Sequence, residues 1–375
     1  MLLFNRTFEE LQEDLKALGE PAFRAKQIWK WVYQRNAASF ESMTDLSKSL
    51  REQLPQRYSL ALPPVIARQV DEADQTEKIL MRLADGETVE AVRIPRFRER
   101  VSTNPQTGQV DEADQSKLEG YTACLSTQVG CQYACQFCAS GQGGLTRNLT
   151  AGEIVAQLLH FQRAGTPISR IVFMGSGEPL HNFEPLRQAI AIFTHPQGLG
   201  LSSRRITIST VGLVPEIYRL AKEEWKVKLA VSLHATTDAR REHLIPLARG
   251  YQLDQLMDAL RFYQTGQGRR ISFEYLMLNE VNDEAKDAER LVELTKGLTC
   301  HVNLIPFNAI PRGRYQPSPP QRIESFRSRL RKKGIDATVR YSRGRNIDAA
   351  CGQLRQRVEE EAAQGGTVSG GAVSE

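Results

Sequence analysis

The sequence has few cysteines and no long apolar segment. Six cysteines occur among 375 residues, too few for a disulfide scaffold, and clustered cysteines in a reducing compartment bind metals or take part in catalysis more often than they form crosslinks. No apolar run of about 18 residues is present, which excludes a membrane-spanning helix. The first residues, MLLFNRTFEELQEDL, also lack the basic and apolar regions of a secretory signal, so we expect a cytoplasmic protein without membrane contact.

Half of the cysteines lie close together, in the stretch GCQYACQFCASG. Cys131, Cys135 and Cys138 have the spacing C-x3-C-x2-C. Structural zinc usually takes four ligands in two separated pairs, and no second pair follows. A cubane iron–sulfur cluster held by only three thiolates has one iron free for a substrate. The spacing therefore favours one [4Fe-4S] cluster over a zinc site, with Phe137 shielding the cluster from water.

Strand-like runs alternate with helical stretches after residue 120. The runs are YTACLSTQ (121–128), RIVFMGSG (170–177), RRITISTVG (204–212), VKLAVSLHA (227–235), RRISFEYLML (269–278) and CHVNLIPF (300–307). Such alternation predicts an α/β fold with a parallel sheet and right-handed crossovers. Six units suit a partial (β/α)6 barrel better than a closed eight-stranded one. Polar residues cluster where the runs end, so we expect the chemistry at the carboxyl ends of the strands.

The other segments predict further domains. Apolar residues at helical spacing over 1–65 predict an N-terminal helical domain, similar to a helix-hairpin-helix, that suits RNA contact or a plain amphipathic hairpin. Residues 66–120 predict a β-hairpin around an Asp-Gly turn and then a long variable loop. The barrel and a C-terminal cysteine segment would span 121–355. The composition of 356–375 predicts a disordered tail.

Positive charge is concentrated near the C-terminus. The formal net charge is +5, and residues 312–345 contain eleven basic side chains against two acidic ones. This stretch is compatible with a nucleic-acid-binding surface and equally with a solvated helix face.

The motifs together resemble a known family. The cysteine spacing on a loop after the first barrel strand resembles the radical S-adenosylmethionine (SAM) superfamily. The full set resembles the bacterial dual-specificity radical-SAM RNA methyltransferases, the RlmN family, over nearly the whole chain. The motifs that carry this resemblance are VEAVRIP, CLSTQVGCQYACQFCASG, GSGEP, ISTVG, SLHA, NLIPFN and NIDAACGQL. One departure is Ser176, where the family usually has methionine.

The resemblance implies methylation of carbon 2 of an adenine in 23S rRNA and of an adenine beside the anticodon of some tRNAs, with two SAM molecules per turnover. Cys351 would take a methyl group from the first SAM. A deoxyadenosyl radical made from the second would remove a hydrogen from that methyl, and the methylene radical would add to the adenine. Glu90 matches the proton acceptor. Cys124 would then attack the sulfur of Cys351 and leave a transient disulfide.

The resemblance also implies a set of SAM contacts and partners. The contacts are Gly177, Glu178, Ser209, Ser232, Leu233, His234 and Asn308. The implied partners are 23S rRNA, tRNA and a reducing donor of the flavodoxin or ferredoxin type, with the enzyme acting as a monomer. From the residues alone, an ordinary strand carboxylate is the favoured interpretation of Glu90, and His234 is equally a hydrogen-bonded histidine at a strand end.

Three alternatives stay open. A related methyltransferase acts on carbon 8 of the same rRNA adenine and shares the cysteines. An RNA-binding protein with a structural metal site would contain zinc and would not cleave SAM. A radical-SAM enzyme for a small molecule would have no use for the basic stretch 312–345 or for the N-terminal hairpin.

Overall fold

A mixed sheet of ten strands forms the centre of the molecule. The computed structural model describes residues 1–97, 118–308, 314–341, 343–344, 347 and 352–363. The strands are β1 (Val65–Val70), β2 (Glu77–Arg82), β3 (Thr88–Phe97), β4 (Leu118–Cys124), β5 (Gln128–Gly130), β6 (Leu145–Asn148), β7 (Ile168–Phe173), β8 (Ile206–Thr210), β9 (Lys228–Ser232), β10 (Ile271–Met277), β11 (Cys300–Pro306) and β12 (Asp336–Val339). The sheet order is β1-β2-β3-β4-β7-β8-β9-β10-β11-β12, and β5 and β6 pair separately.

Helices cover the outer face of this sheet and form the N-terminal part. They are α1 (Phe8–Ala17), α2 (Phe23–Trp29), α3 (Lys48–Arg57), α4 (Ala151–Arg163), α5 (Phe183–Thr194), α6 (Val214–Lys222), α7 (Asp238–Leu244), α8 (Leu253–Gln267), α9 (Ala285–Leu294), α10 (Pro320–Lys332) and α11 (Gln353–Ala363). Helix α4 begins with a capping box, in which Thr150 accepts from the Glu153 N–H at 3.2 Å and Glu153 accepts from the Thr150 N–H at 2.9 Å. None of the helices in the described ranges is long and apolar enough to cross a membrane.

The predicted partial barrel and hairpin are both present. Strands β1 to β4 are antiparallel neighbours, and Gly86, with φ +91°, lies in the turn between β2 and β3. From β4 onward every neighbouring pair in the sheet is parallel. The short strand β12 adds a further parallel strand to the six that the sequence pattern predicts. The carboxyl ends of all these strands therefore meet at one edge.

The N-terminal helices share one hydrophobic core with the barrel. Leu11 of α1, Trp29 of α2 and Leu50 of α3 belong to the same cluster of buried side chains as Leu158 of α4 and Ile190 of α5. A direct polar contact reinforces this packing, since the Asn5 side-chain oxygen accepts from the Gly152 N–H at 2.6 Å. The first 60 residues thus lie firmly against the barrel helices.

The predicted tail needs correction. Helix α11 runs to Ala363, so the disorder predicted from residue 356 is wrong for residues 356–363. Leu354 and Val358 are buried against Ala67 and Leu80 of the hairpin. Composition did not show this because the apolar partners lie far away in the chain. The predicted variable loop falls largely on 98–117, outside the described residues.

Candidate functional site

A cavity of about 420 Å³ opens at the carboxyl ends of the parallel strands. Its wall contains most of the residues that the sequence nominates: Cys124, Cys131, Cys135, Cys138, Gly177, Glu178, Ser209, Ser232, His234 and Asn308. Segments far apart in sequence therefore converge on one space, as expected for a barrel whose strands end at the same edge.

The three clustered cysteines lie on a compact loop between β5 and β6. The Cys131 N–H donates to the Gly144 carbonyl at 2.8 Å, and the Cys138 N–H donates to the Cys135 carbonyl at 3.0 Å. At Gly141 a Cβ would lie 3.1 Å from the Cys135 nitrogen, so the loop folds closely on itself. The Phe137 ring lines the same cavity and meets the His234 ring edge-on, with centroids 4.7 Å apart.

The chemistry of this donor set fits an iron–sulfur cluster. Burial, and then the nearby Cys138 and Glu178 charges, raise the pKa of the Cys131 thiol to about 12. Burial likewise raises the pKa of Cys135 well above its ordinary value, so thiolates here need a bound cation. Within the described ranges no three His, Cys, Asp or Glu side chains converge on a single metal ion. Cys131, Cys135 and Cys138 nevertheless line one cavity, and three thiolates would hold such a cluster there.

The GSGEP loop after β7 brings a buried carboxylate to the cavity. Glu178 accepts from the Val211 N–H at 2.8 Å and from the Leu180 N–H at 3.1 Å. Burial raises its pKa to about 7, although these donors favour the charged form. Gly177 has φ +101°, and a Cβ there would lie 2.5 Å from the Gln128 Cβ. The loop conformation thus requires glycine and aims a carboxylate that an ammonium group would stabilise.

Ser176, the departure from the family pattern, joins two loops. Its hydroxyl lies 3.1 Å from the Ser140 hydroxyl, and both side chains are buried. Ser140 lies two residues after Cys138 in the sequence. The substitution therefore links the GSGEP loop to the cysteine loop by a hydrogen bond.

His234 is held as a neutral ring at the end of β9. Its Nδ1 accepts from the Leu276 N–H at 3.1 Å, which places the ring proton on Nε2. Burial, followed by the nearby Arg241 charge, lowers its pKa to about 3. Its backbone has φ +56°. Leu233 differs from its neighbours because its side chain is fully buried and does not line the cavity; its N–H donates to the Glu274 carbonyl at 3.1 Å.

Glu90 does not line the cavity, and its carboxylate is fully engaged. It lies 3.2 Å from the Lys78 ammonium, and both side chains are buried. It also accepts from the Gly352 N–H at 2.9 Å and from the Arg355 N–H at 2.7 Å. Glu90 thus caps the first turn of α11. Its role as a proton acceptor stays a prediction.

Cys351 lies outside the described residues, whereas Gly352, the residue after it, lies within them. Gly352 has φ +85°, and a Cβ there would lie 2.7 Å from the Ser140 nitrogen. The Gln356 side chain donates to the Ala139 carbonyl at 2.9 Å. The segment that follows Cys351 therefore packs directly against the cysteine loop.

Comparisons with known proteins agree with this geometry. Residues 1–60 match the model for the ribosomal RNA large subunit methyltransferase N-terminal domain, and residues 125–292 match the radical SAM superfamily. The protein described as "Probable dual-specificity RNA methyltransferase RlmN" from Geobacillus kaustophilus is 42% identical over 363 residues, 96% of this chain and 93% of the relative. Its counterpart from Bacillus subtilis is 40% identical over 363 residues, 96% of this chain and 94% of the relative. The chain belongs to the RlmN family.

A solved structure supports the fold as well as the family. The crystal structure of a radical SAM methyltransferase from Sphaerobacter thermophilus superposes with a TM-score of 0.83 at 43% identity, covering 94% of this chain and 98% of that one. The predicted RlmN membership, the α/β partial barrel and the class of SAM-dependent RNA methyltransferase are confirmed. SAM and an iron–sulfur cluster are the cofactors that this superfamily implies.

Sequence reasoning missed several residues in or beside this cavity. Lys78 could have been found from the predicted hairpin. Side chains alternate between the two faces of its strands, and this places Lys78 and Glu90 as diagonal neighbours on the same face. Ser140 and Arg241 carried no signal, since their partners lie far away in the chain. Arg241 is buried, and its pKa falls to about 10 through burial, an effect opposed by the nearby Cys135.

Proposed function

We propose that this protein methylates carbon 2 of an adenine in 23S rRNA and of an adenine beside the anticodon of tRNAs. The observation that carries the proposal is the convergence of the cysteine loop, Cys124 and the segment after Cys351. Cys124 shares one cavity with the cysteine loop, and Gly352 packs on that loop. The resistance-type methyltransferase for carbon 8 is a competing outcome of the test below.

The chemistry explains why two further cysteines are needed. Carbon 2 of adenine lies between two ring nitrogens and is electron-poor, so it does not attack the SAM methyl group. The Cys351 thiolate would instead accept the methyl by displacement, releasing S-adenosylhomocysteine. Cys131, Cys135 and Cys138 would hold the cluster, which supplies the electron that cleaves a second SAM.

The remaining residues bind and position. Glu178 would bind the SAM amino group, while Ser209, Ser232, His234 and Asn308 line the space for the rest of the cofactor. After the methylene carbon joins the adenine, Glu90 would take the carbon-2 proton. Cys124 would then attack the Cys351 sulfur, forming an S–S bond as the C–S bond breaks. The one electron left over from the radical addition would return to the cluster, and a proton would add to the methylene carbon to complete the methyl group before the product leaves. A reductant must open that disulfide before the next turnover.

The proposal includes the partners of this cycle. A flavodoxin- or ferredoxin-type donor supplies electrons, and we place the protein in the cytoplasm, where ribosomal and transfer RNA are reached. We propose that the enzyme acts as a monomer, because one chain contains every residue assigned above.

Trapping distinguishes the roles proposed for Cys124 and Cys351. Cys124→Ala should accumulate RNA bound covalently to the protein, because nothing can cleave the C–S bond. Cys351→Ala should give neither adduct nor methylated cysteine. The measurement is denaturing electrophoresis with peptide mass spectrometry. Cys300→Ala is the matched control and should behave as wild type, since Cys300 starts β11 away from the cavity. Normal turnover by Cys124→Ala would refute the assigned role.

A further inference from the structure

A second cavity adjoins the first inside the barrel. Its volume is about 1060 Å³, and the amino-terminal halves of the parallel strands line it. Val172, Met174 and Glu274 line both cavities. The two spaces therefore share part of their wall, one at the carboxyl ends of the strands and the other towards their amino ends.

The lumen is polar, unlike the packed interior of a closed barrel. Closed barrels fill their centre with branched apolar side chains. Here Thr207, Ser272 and Asn303 line the second cavity, whereas the alternating neighbours Ile208 and Phe273 are fully buried in the hydrophobic core. At these positions the strand alternation turns the polar side chain towards the second cavity, whose wall also contains the apolar side chains of Val172 and Met174.

Three cations lie side by side at the amino ends of β7, β8 and β9. Arg170, Arg205 and Lys228 all line the second cavity; we call them the lumenal basic cluster. Arg170 and Arg205 directly precede Ile171 and Ile206, which pair across β7 and β8. Lys228 pairs with Thr207 on the neighbouring strand. The sheet register therefore fixes this grouping.

Within the described residues, the cations of this cluster repel one another, although the carboxylates Asp71, Asp74 and Glu274 also line the cavity. Arg170 and Lys228 are exposed to solvent. Partial desolvation, and then the nearby cations Arg96 and Arg205, lower the pKa of Arg170. Partial desolvation followed by the surrounding arginines, Arg170 first, lowers the pKa of Lys228. Glu119 acts on Arg170 but already pairs with Arg96 at 2.9 Å. A bound anion would relieve this repulsion.

We propose that the lumenal basic cluster binds the phosphates that flank the target nucleotide of the RNA. Chemistry on a base requires the base to leave its stack and enter a pocket. Arg205 and Ser209 are four residues apart along β8, a span of about 13 Å, which suits a nucleotide extended from its phosphate towards the SAM cavity. The inference rests on the proposed function and adds the route by which RNA enters.

The test removes the same charge from two places. One variant carries Arg170→Gln, Arg205→Gln and Lys228→Gln; the matched control carries Arg331→Gln, Lys332→Gln and Lys333→Gln at the exposed end of α10. Binding of a fluorescent RNA hairpin with an unpaired loop adenine is measured at several salt concentrations. Each lost phosphate contact lowers the slope of log K against log salt by about 0.7, so the cluster variant should lose about two units of slope. The control should keep the wild-type slope.

A charge-preserving variant guards against a folding artefact. Arg170→Lys with Arg205→Lys and Lys228→Arg should restore most of the slope, and SAM affinity without RNA shows that each variant is folded. An unchanged slope in the cluster variant, or an equal loss in the α10 control, overturns the inference. Wild-type protein that neither binds nor methylates the RNA would instead contradict the proposed function.

Discussion

Gly177 shows how one residue determines the shape of the GSGEP loop. Its φ of +101° and the 2.5 Å that a Cβ would leave to the Gln128 Cβ both exclude a side chain. A Cβ added to Gly143, in the cysteine loop, would have no other atom within 4 Å. Two glycines near one site therefore differ in what they permit, and only the structure separates them.

Gly177→Ala should abolish SAM binding. Strain at such a φ costs about 1–3 kcal/mol, and the overlap with Gln128 must also be relieved by moving the loop that presents Glu178. Equilibrium SAM binding to the anaerobically prepared protein measures the effect. Gly143→Ala, the control, should bind SAM as wild type does. Equal affinities for the two variants would contradict the account of this loop.

Site residues that belong to a local sequence motif were predictable. Site residues identified only by a contact with a distant segment were not. The cysteine spacing and the Gly-Glu-Pro turn pointed to Cys131 and Glu178 because each motif combines local geometry with one chemistry. The Ser176–Ser140 hydrogen bond joins separate loops and is invisible in either segment. Leu233 was predicted as a SAM contact together with Ser232 and His234. Its side chain does not line the cavity, because successive side chains of an extended chain point to opposite faces.

At the scale of elements, α11 is fixed to the hairpin at its first turn. Glu90 accepts from the N–H groups of Gly352 and Arg355, and the positive end of the helix dipole favours this carboxylate. Lys78 balances the buried charge. The helix that follows Cys351 is therefore positioned by a carboxylate from β3.

Glu90→Ala should loosen the start of α11. Loss of hydrogen bonds to a charged acceptor costs about 1.5–3 kcal/mol, so amide exchange at Gly352 and Arg355 should rise at least about tenfold. Hydrogen exchange read by mass spectrometry measures this. Glu77→Ala is the matched control, since Glu77 is a buried carboxylate of the same hairpin that pairs with Arg93 at 2.9 Å. Unchanged exchange in Glu90→Ala would show that α11 is held by other contacts.

At the scale of the whole molecule, the strand order was predictable and the use of the lumen was not. Alternating strands and helices admit few topologies, so the parallel sheet and the edge at which its strands end followed from the pattern. The polar lumen depends on register between strands, as does the grouping of Arg170 with Arg205. The basic stretch 312–345 shows the converse. Arg322 and Arg327 in it pair with Asp283 and Glu324, so sequence counts overstate its free charge.

The most direct test is mass mapping of RNA from cells with and without this gene. The account predicts that 2-methyladenosine disappears from 23S rRNA and from tRNA when the gene is removed, because this enzyme is the one proposed to methylate carbon 2 in both RNAs. Loss from both RNAs would also establish dual specificity. Loss of 8-methyladenosine instead, or no change in either nucleoside, would contradict the account.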